Sequence, residues 1–250
     1  DEEVLTENAG NATKMDNLQY GQAFDYLMLA DHLRNSYNGV DGQGNGKYTT
    51  AFYEAMETQL REVSKLLIQG KYRDKILYSG FEWDMPGLDH ASVAILDESG
   101  QVPTDGVHQF EWLYASQSDG DTDELYAGGF DEQAAWGERK NPDGWHGSVD
   151  TAVEAVEWLE ANYPDSFVLP NHPSRHDNGD ETVDAGEVTL EALRRMNDAA
   201  PGIVFGFEGI PGGPLDGAAC SYSDAGSVRA GADEMIAVTG GVWDALLSEG

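Results

Sequence analysis

The sequence predicts an α/β fold of parallel strand–helix units, read as one domain over residues 1–250. Three observations predict it. Short apolar runs of strand length recur along the chain, stretches with helical spacing lie between them, and each apolar run closes on a polar turn.

The first run, residues 24–30 (FDYLMLA), ends abruptly in Asp31, His32, Leu33, Arg34 and Asn35. YNGVDGQGNGK follows and reads as a loop; from Asp41 it imitates an EF-hand, but the twelfth position is Phe52 where a Ca²⁺ loop needs Glu. Phe52, Met56, Leu60, Val63 and Leu67 then recur at helical spacing, with Gly70 as the stop. Residues 75–83 (KILYSGFEW) and 92–96 (SVAIL) read as strands. From about 103 to 147 the pattern dissolves into an acidic, Gly-rich insertion around SQSDGDTDE, of the kind that forms a lid or rim, with Phe110, Trp112, Leu113 and Tyr114 placed to anchor a short element. Helical spacing returns at Val149, Ala152, Val153, Val156 and Leu159, and Pro164 ends it before the strand 166–169 (SFVL). A helix over 190–196, a strand over 203–207 and a closing helix after Gly240 and Gly241 complete the reading.

Composition narrows the function. Asp and Glu number 46 against 14 Lys and Arg, a formal charge of −32. Such a field repels nucleic-acid phosphates and anionic membranes, and no apolar run approaches the ~20 residues of a membrane span. The excess reads first as a solvated, salt-adapted surface and second as sites for hard divalent cations. Cys220 is the sole cysteine, which excludes an internal disulfide and a four-thiolate zinc site, so any metal must be held by His and carboxylate. The chain starts at Asp1 without Met and shows no signal peptide, as expected of a processed chain or a piece of a longer one. The compartment stays open, and the acidity is compatible with a saline or extracytoplasmic setting. Phosphate-binding GxxxxGK[ST], dinucleotide GxGxxG and nucleophile-elbow GxSxG motifs do not occur.

The strand ends carry the chemistry. In order they deliver His32, Glu82, His90, His172 and Glu208, and in a closed barrel such ends converge on one face. Glu82 and His90 stand eight residues apart, which suits a hairpin or tight loop that brings a carboxylate to an imidazole. Zn²⁺, Mn²⁺ and Fe²⁺ accept that mixed ligand set. Taken singly, each histidine also reads as a satisfied turn residue, and Glu82 as the partner of an arginine. Asp31 is open between a ligand, an acceptor orienting an imidazole and a turn cap. His108, His146 and His176 lie in polar stretches where solvated histidine is the default, although His176 follows Arg175 closely. Arg34 and Arg175, each just beyond a candidate ligand in a chain with few cations, read equally as an anion clamp and as salt-bridge partners.

LMLADH, GFEW followed by GLDH, and LPNHPSR together resemble, in order, the motifs of the polymerase and histidinol phosphatase (PHP) superfamily; GFEGIPGGP and GGVWDALLSEG look like its later segments. The resemblance implies a distorted seven-stranded β/α barrel of the TIM type, two or three divalent metal ions (Zn, Mn or Fe) at its strand ends, and hydrolysis of a small phosphorylated substrate. It implies further that Glu82 bridges two metals, that His90 and His172 bind one of them, and that His32 serves a third. The family opens with an HxH pair and closes with an Asp and His pair, and neither is present here. The expected barrel is therefore a fragment, incomplete at both ends. Two alternatives stand beside this reading: a barrel metallohydrolase of C–N bonds, and a degenerate barrel acting as a binding domain.

Overall fold

The computed structural model describes residues 26–33, 36–40, 46–50, 52–70, 75–115, 135–141, 147–171, 190–209, 228–229, 232–233, 239 and 242–249. At its centre is a mixed four-stranded sheet. Its strands are β1 (Tyr26–His32), β4 (Ile76–Asp84), β5 (His90–Ala94) and β6 (Phe167–Pro170), side by side in that order.

β1 and β4 pair in parallel, with Leu29 opposite Ser79 and His32 opposite Glu82. A parallel pair needs a crossover, and α1 (Phe52–Ile68) lies in this one. Met56 and Val63 are buried on its inner face and Leu60 is partly buried, while Glu57, Arg61, Ser64 and Lys65 are exposed; the helix stops before Gly70, whose N–H reaches the Leu67 carbonyl. The Gly- and Asn-rich stretch before α1, expected as a loop, contains the antiparallel pair β2 (Ser36–Val40) and β3 (Gly46–Thr50).

The expected barrel is contradicted at the next connection. β4 and β5 are joined by residues 85–89, far too few for a crossover, so β5 runs antiparallel to β4. Met85 and Asp89 close the hairpin through a 3.1 Å backbone bond. Gly87 turns it at φ +71, where a Cβ would also meet the Gly147 carbonyl at 2.7 Å. β6 reverses again, pairing antiparallel with β5 from Ala91 opposite Pro170 to Ala94 opposite Phe167. The result is an open mixed sheet; among the described residues β1 and β6 are its edges, and no closed seven-stranded β/α barrel forms.

One face of this sheet is the core. Phe81, Trp83, Ala91, Val93 and Val168 alternate onto it and are all fully buried. It is covered by α2 (Thr104–Tyr114), α3 (Val149–Asn162) and α4 (Leu190–Ala199), which contribute Val107, Phe110, Leu159, Leu193 and Met196. Phe110 meets the edge of Trp83 with ring centroids 5.1 Å apart, and the Trp83 indole donates to the Tyr114 carbonyl at 3.0 Å. The supposed insertion therefore begins with a core helix. Its last carbonyls are also capped from downstream: Lys140 N–H reaches Leu113 and the Asn141 amide reaches Tyr114. α3 is capped by Ser148, which accepts from Asp150 N–H, and it ends one residue before Tyr163 and the expected stop at Pro164.

Residues 203–207, expected as a strand, form no regular strand. They nonetheless run beside β6: Val168 N–H donates to the Ile203 carbonyl at 2.9 Å and Glu208 N–H to the Pro170 carbonyl at 2.8 Å. The closing helix is α5 (Val242–Glu249), and a two-residue pair, β7 (Val228–Arg229) and β8 (Ala232–Asp233), precedes it. No helix among the described residues is long and apolar enough to cross a membrane.

Candidate metal centre

Because β5 is the one reversed strand, the last residues of β1, β4 and β6 and the first of β5 share one end of the sheet. Residues paired across a ladder point to the same side. Asp84 lies opposite His90 and Glu82 opposite Ser92, so all four stand on the face away from the aromatic core. Asn171 follows β6 and ties its N–H to the His90 carbonyl at 2.7 Å.

These side chains meet. His90 Nε2 is 2.8 Å from Asp84 Oδ1, while His90 Nδ1 faces Glu82 Oε1 at 3.3 Å and Asp89 Oδ1 at 3.4 Å. All four are largely buried, with His90 14% and Asp84 7% exposed, so little water screens them. Burial disfavours the imidazolium, but its hydrogen bonds to Asp84 and Glu82 and the nearby charges of Asp84 and Asp89 outweigh that and push its pKa up to about 9. At neutral pH the site holds a proton where three carboxylates converge on one imidazole.

The same electrostatic well suits a divalent cation in part. Two ligands of a tetrahedral ion, each about 2.05 Å from it, stand roughly 3.3 Å apart. The separations of Nδ1 from Glu82 and from Asp89 match that edge, and Asp84 on Nε2 stands where a carboxylate would fix the ring of a histidine that served as a ligand. Among the described residues, however, no three His, Cys, Asp or Glu side chains converge as a complete ligand group. A full set needs donors from beyond them.

Of the expected site residues, Glu82 and His90 are thus together. His32 closes β1 in register with Glu82, and Leu33 N–H is bonded to the Glu82 carbonyl at 2.6 Å, which places the His32 backbone at this end of the sheet. The side chains of Asp31 and His32, and all of Arg34, His172, Arg175 and His176, lie outside the described residues. The bond from Glu208 N–H to Pro170 brings the Glu208 backbone to the same end. His108 is a correction: it is no solvated loop histidine but is buried on α2, edge-on to Trp136 with centroids 4.7 Å apart, and its pKa is lowered by burial against the opposing pull of Asp105. His146 lies outside the described residues.

Asp84, Asp89, Ser92 and Asn171 were not among the expected residues. Asp84 was legible by strand period, since it stands two residues beyond Glu82 and so on the same face. Asp89 and Asn171 each precede a singled-out histidine. Comparison with known proteins finds no family model, no curated protein and no solved structure that matches this chain.

Proposed function

We propose that the strand-end cluster is part of a divalent-metal centre and that the protein hydrolyses phosphate esters. One observation carries the reading: a single imidazole with one nitrogen held by Asp84 and the other turned toward Glu82 and Asp89 at metal-ligand spacing. The phosphoester class is supported by the order of LMLADH, GFEW, GLDH and LPNHPSR along the chain. In this reading Glu82 and His90 are ligands, Asp84 fixes the imidazole so that Nδ1 presents its lone pair, and His32 and His172 complete the set. A divalent ion held there would polarise a phosphoryl oxygen and lower the pKa of bound water toward ~7. Arg34 and Arg175 would offset charge on the phosphate oxygens, reversing locally the repulsion that a chain of charge −32 exerts on an anion.

The test couples metal content to turnover. Protein equilibrated with Mn²⁺ or Zn²⁺ should retain metal and cleave a nitrophenyl phosphate monoester or diester. Glu82→Gln should lose both, whereas Arg175→Ala should keep its metal and lose on the order of 10² in rate. Unchanged turnover in Glu82→Gln would remove the reading.

A further inference from the structure

The structure points to a positioning residue that the ligand set does not include. We infer that Asn171, itself locked by Ser92, fixes the orientation of the Glu82 carboxylate through a direct hydrogen bond from its side-chain amide. Asn171 is 6% exposed and sits where β6 ends. Its Oδ1 accepts two hydrogen bonds from one residue of β5, from Ser92 N–H at 3.2 Å and from the Ser92 hydroxyl at 3.0 Å. The Ser92 N–H can only face the carbonyl oxygen of the amide, because it has no acceptor capacity, and the hydroxyl donates to the same oxygen. The amide is therefore held one way round, and its Nδ2 is turned to Glu82 Oε1 at 3.0 Å.

That oxygen is also the one 3.3 Å from His90 Nδ1. Asn171 is tethered a second time by its backbone, through the 2.7 Å bond to the His90 carbonyl. A single residue thus links Glu82, Ser92 and the backbone of His90 across three strands. A carboxylate on a strand end has a free final torsion, and holding it costs conformational entropy that a prelocked donor removes in advance. Asn171 touches no reacting atom in this account. It acts through Glu82, so its meaning for activity rests on the proposed role of Glu82, while its geometry does not.

A donor–acceptor swap tests the contact itself. Asn171→Asp keeps the oxygen that Ser92 bonds but sets a carboxylate against Glu82. In metal-free protein at pH 7.5 its Tm should fall by about 5 °C. The double variant Asn171→Asp with Glu82→Gln restores a donor facing an acceptor, now in the opposite sense, and should recover at least half of that loss. A role limited to tying β5 to β6 predicts neither result, since the introduced carboxylate would still accept from Ser92. An unchanged Tm in Asn171→Asp, or no recovery in the double variant, would overturn the inference.

A second arm reads the function. Co²⁺ titration followed by its visible absorption should show wild-type binding, binding weakened about 10- to 100-fold in Asn171→Ala, and an intermediate loss in Ser92→Ala. Equal Co²⁺ affinity in wild type and Asn171→Ala would overturn the positioning role. Wild-type protein that takes up no Co²⁺ would defeat the metal reading instead, leaving the swap to decide the contact.

Discussion

His90 is an imidazole with a carboxylate on each ring nitrogen, and its protonation couples the site to the stability of the fold. Its pKa rises from an ordinary 6.5 to about 9 in the folded chain. The folded state therefore binds the proton more tightly than the unfolded one. This contribution is fully present below pH ~6.5 and is lost as pH climbs through ~9, and it amounts to roughly 3 kcal/mol across that window. Urea unfolding of the metal-free protein at pH 6 and pH 9.5, compared with His90→Gln, should show the difference between the two proteins shrinking at the higher pH. Parallel pH profiles would show that the carboxylates do not hold the proton. At this scale the sequence was partly readable: Glu82 and His90 were visible as polar residues closing apolar runs. Asp84 was within reach of the strand period, two residues past Glu82, but Asp89 and the Asn171 amide were not, because their importance comes from pairing across strands, a property of register that one strand alone does not display.

At the scale of elements, the apolar runs and helical spacings located β1, α1, β4, α3, β6 and α4 to within a few residues, since each buries one face and the burial period is written in the chain. Direction was not legible in the same way. Residues 75–83 and 92–96 look alike as strands in either direction; the short link between them suited a hairpin, against the parallel barrel that the resemblance implied, and the buried turn with Met85 and Leu88 inside it settles the reversal. At the start of the acidic stretch Phe110, Trp112, Leu113 and Tyr114 marked a short element, but not that it is an eleven-residue helix with Val107 also in the core, a signal diluted by the charges that follow. Gly80 shows how tightly the elements then close. A Cβ there would stand 2.5 Å from the Val93 carbonyl and 2.8 Å from Met28 Sδ, so β4 approaches its neighbours too closely for any side chain. Gly80→Ala should cost about 1 to 3 kcal/mol in urea unfolding, because a backbone atom cannot move aside as a flexible side chain can. A change below about half a kcal/mol would mean that the sheet accommodates the methyl group.

For the molecule as a whole, the reversed β5 gathers polar strand ends without barrel closure: β1, β4 and β6 finish where β5 begins, so the backbones of His32, Glu82, His90 and Asn171 share one end of an open sheet. Convergence was expected from a closed barrel, which the described residues do not form; among them the side chains of Glu82 and His90 meet, while the His32 side chain and His172 lie outside them. A formal charge of −32 adds self-repulsion to every folded copy, and added salt screens it. Raising KCl from 0.1 M to 2 M should therefore raise the Tm, and a Tm that falls would argue against a surface adapted to salt. Salt should also weaken any divalent cation held only by diffuse surface charge more than one held by a specific site. This makes calorimetric titration with Mn²⁺ in 0.5 M KCl at pH 8, on wild type, Glu82→Gln and His90→Ala, the most direct measurement of the central claim. Saturable binding to the wild-type protein is expected, with at least tenfold weaker binding to both variants. Wild-type protein that binds no Mn²⁺, or variants that bind it equally well, would contradict the claim that this cluster is a metal centre.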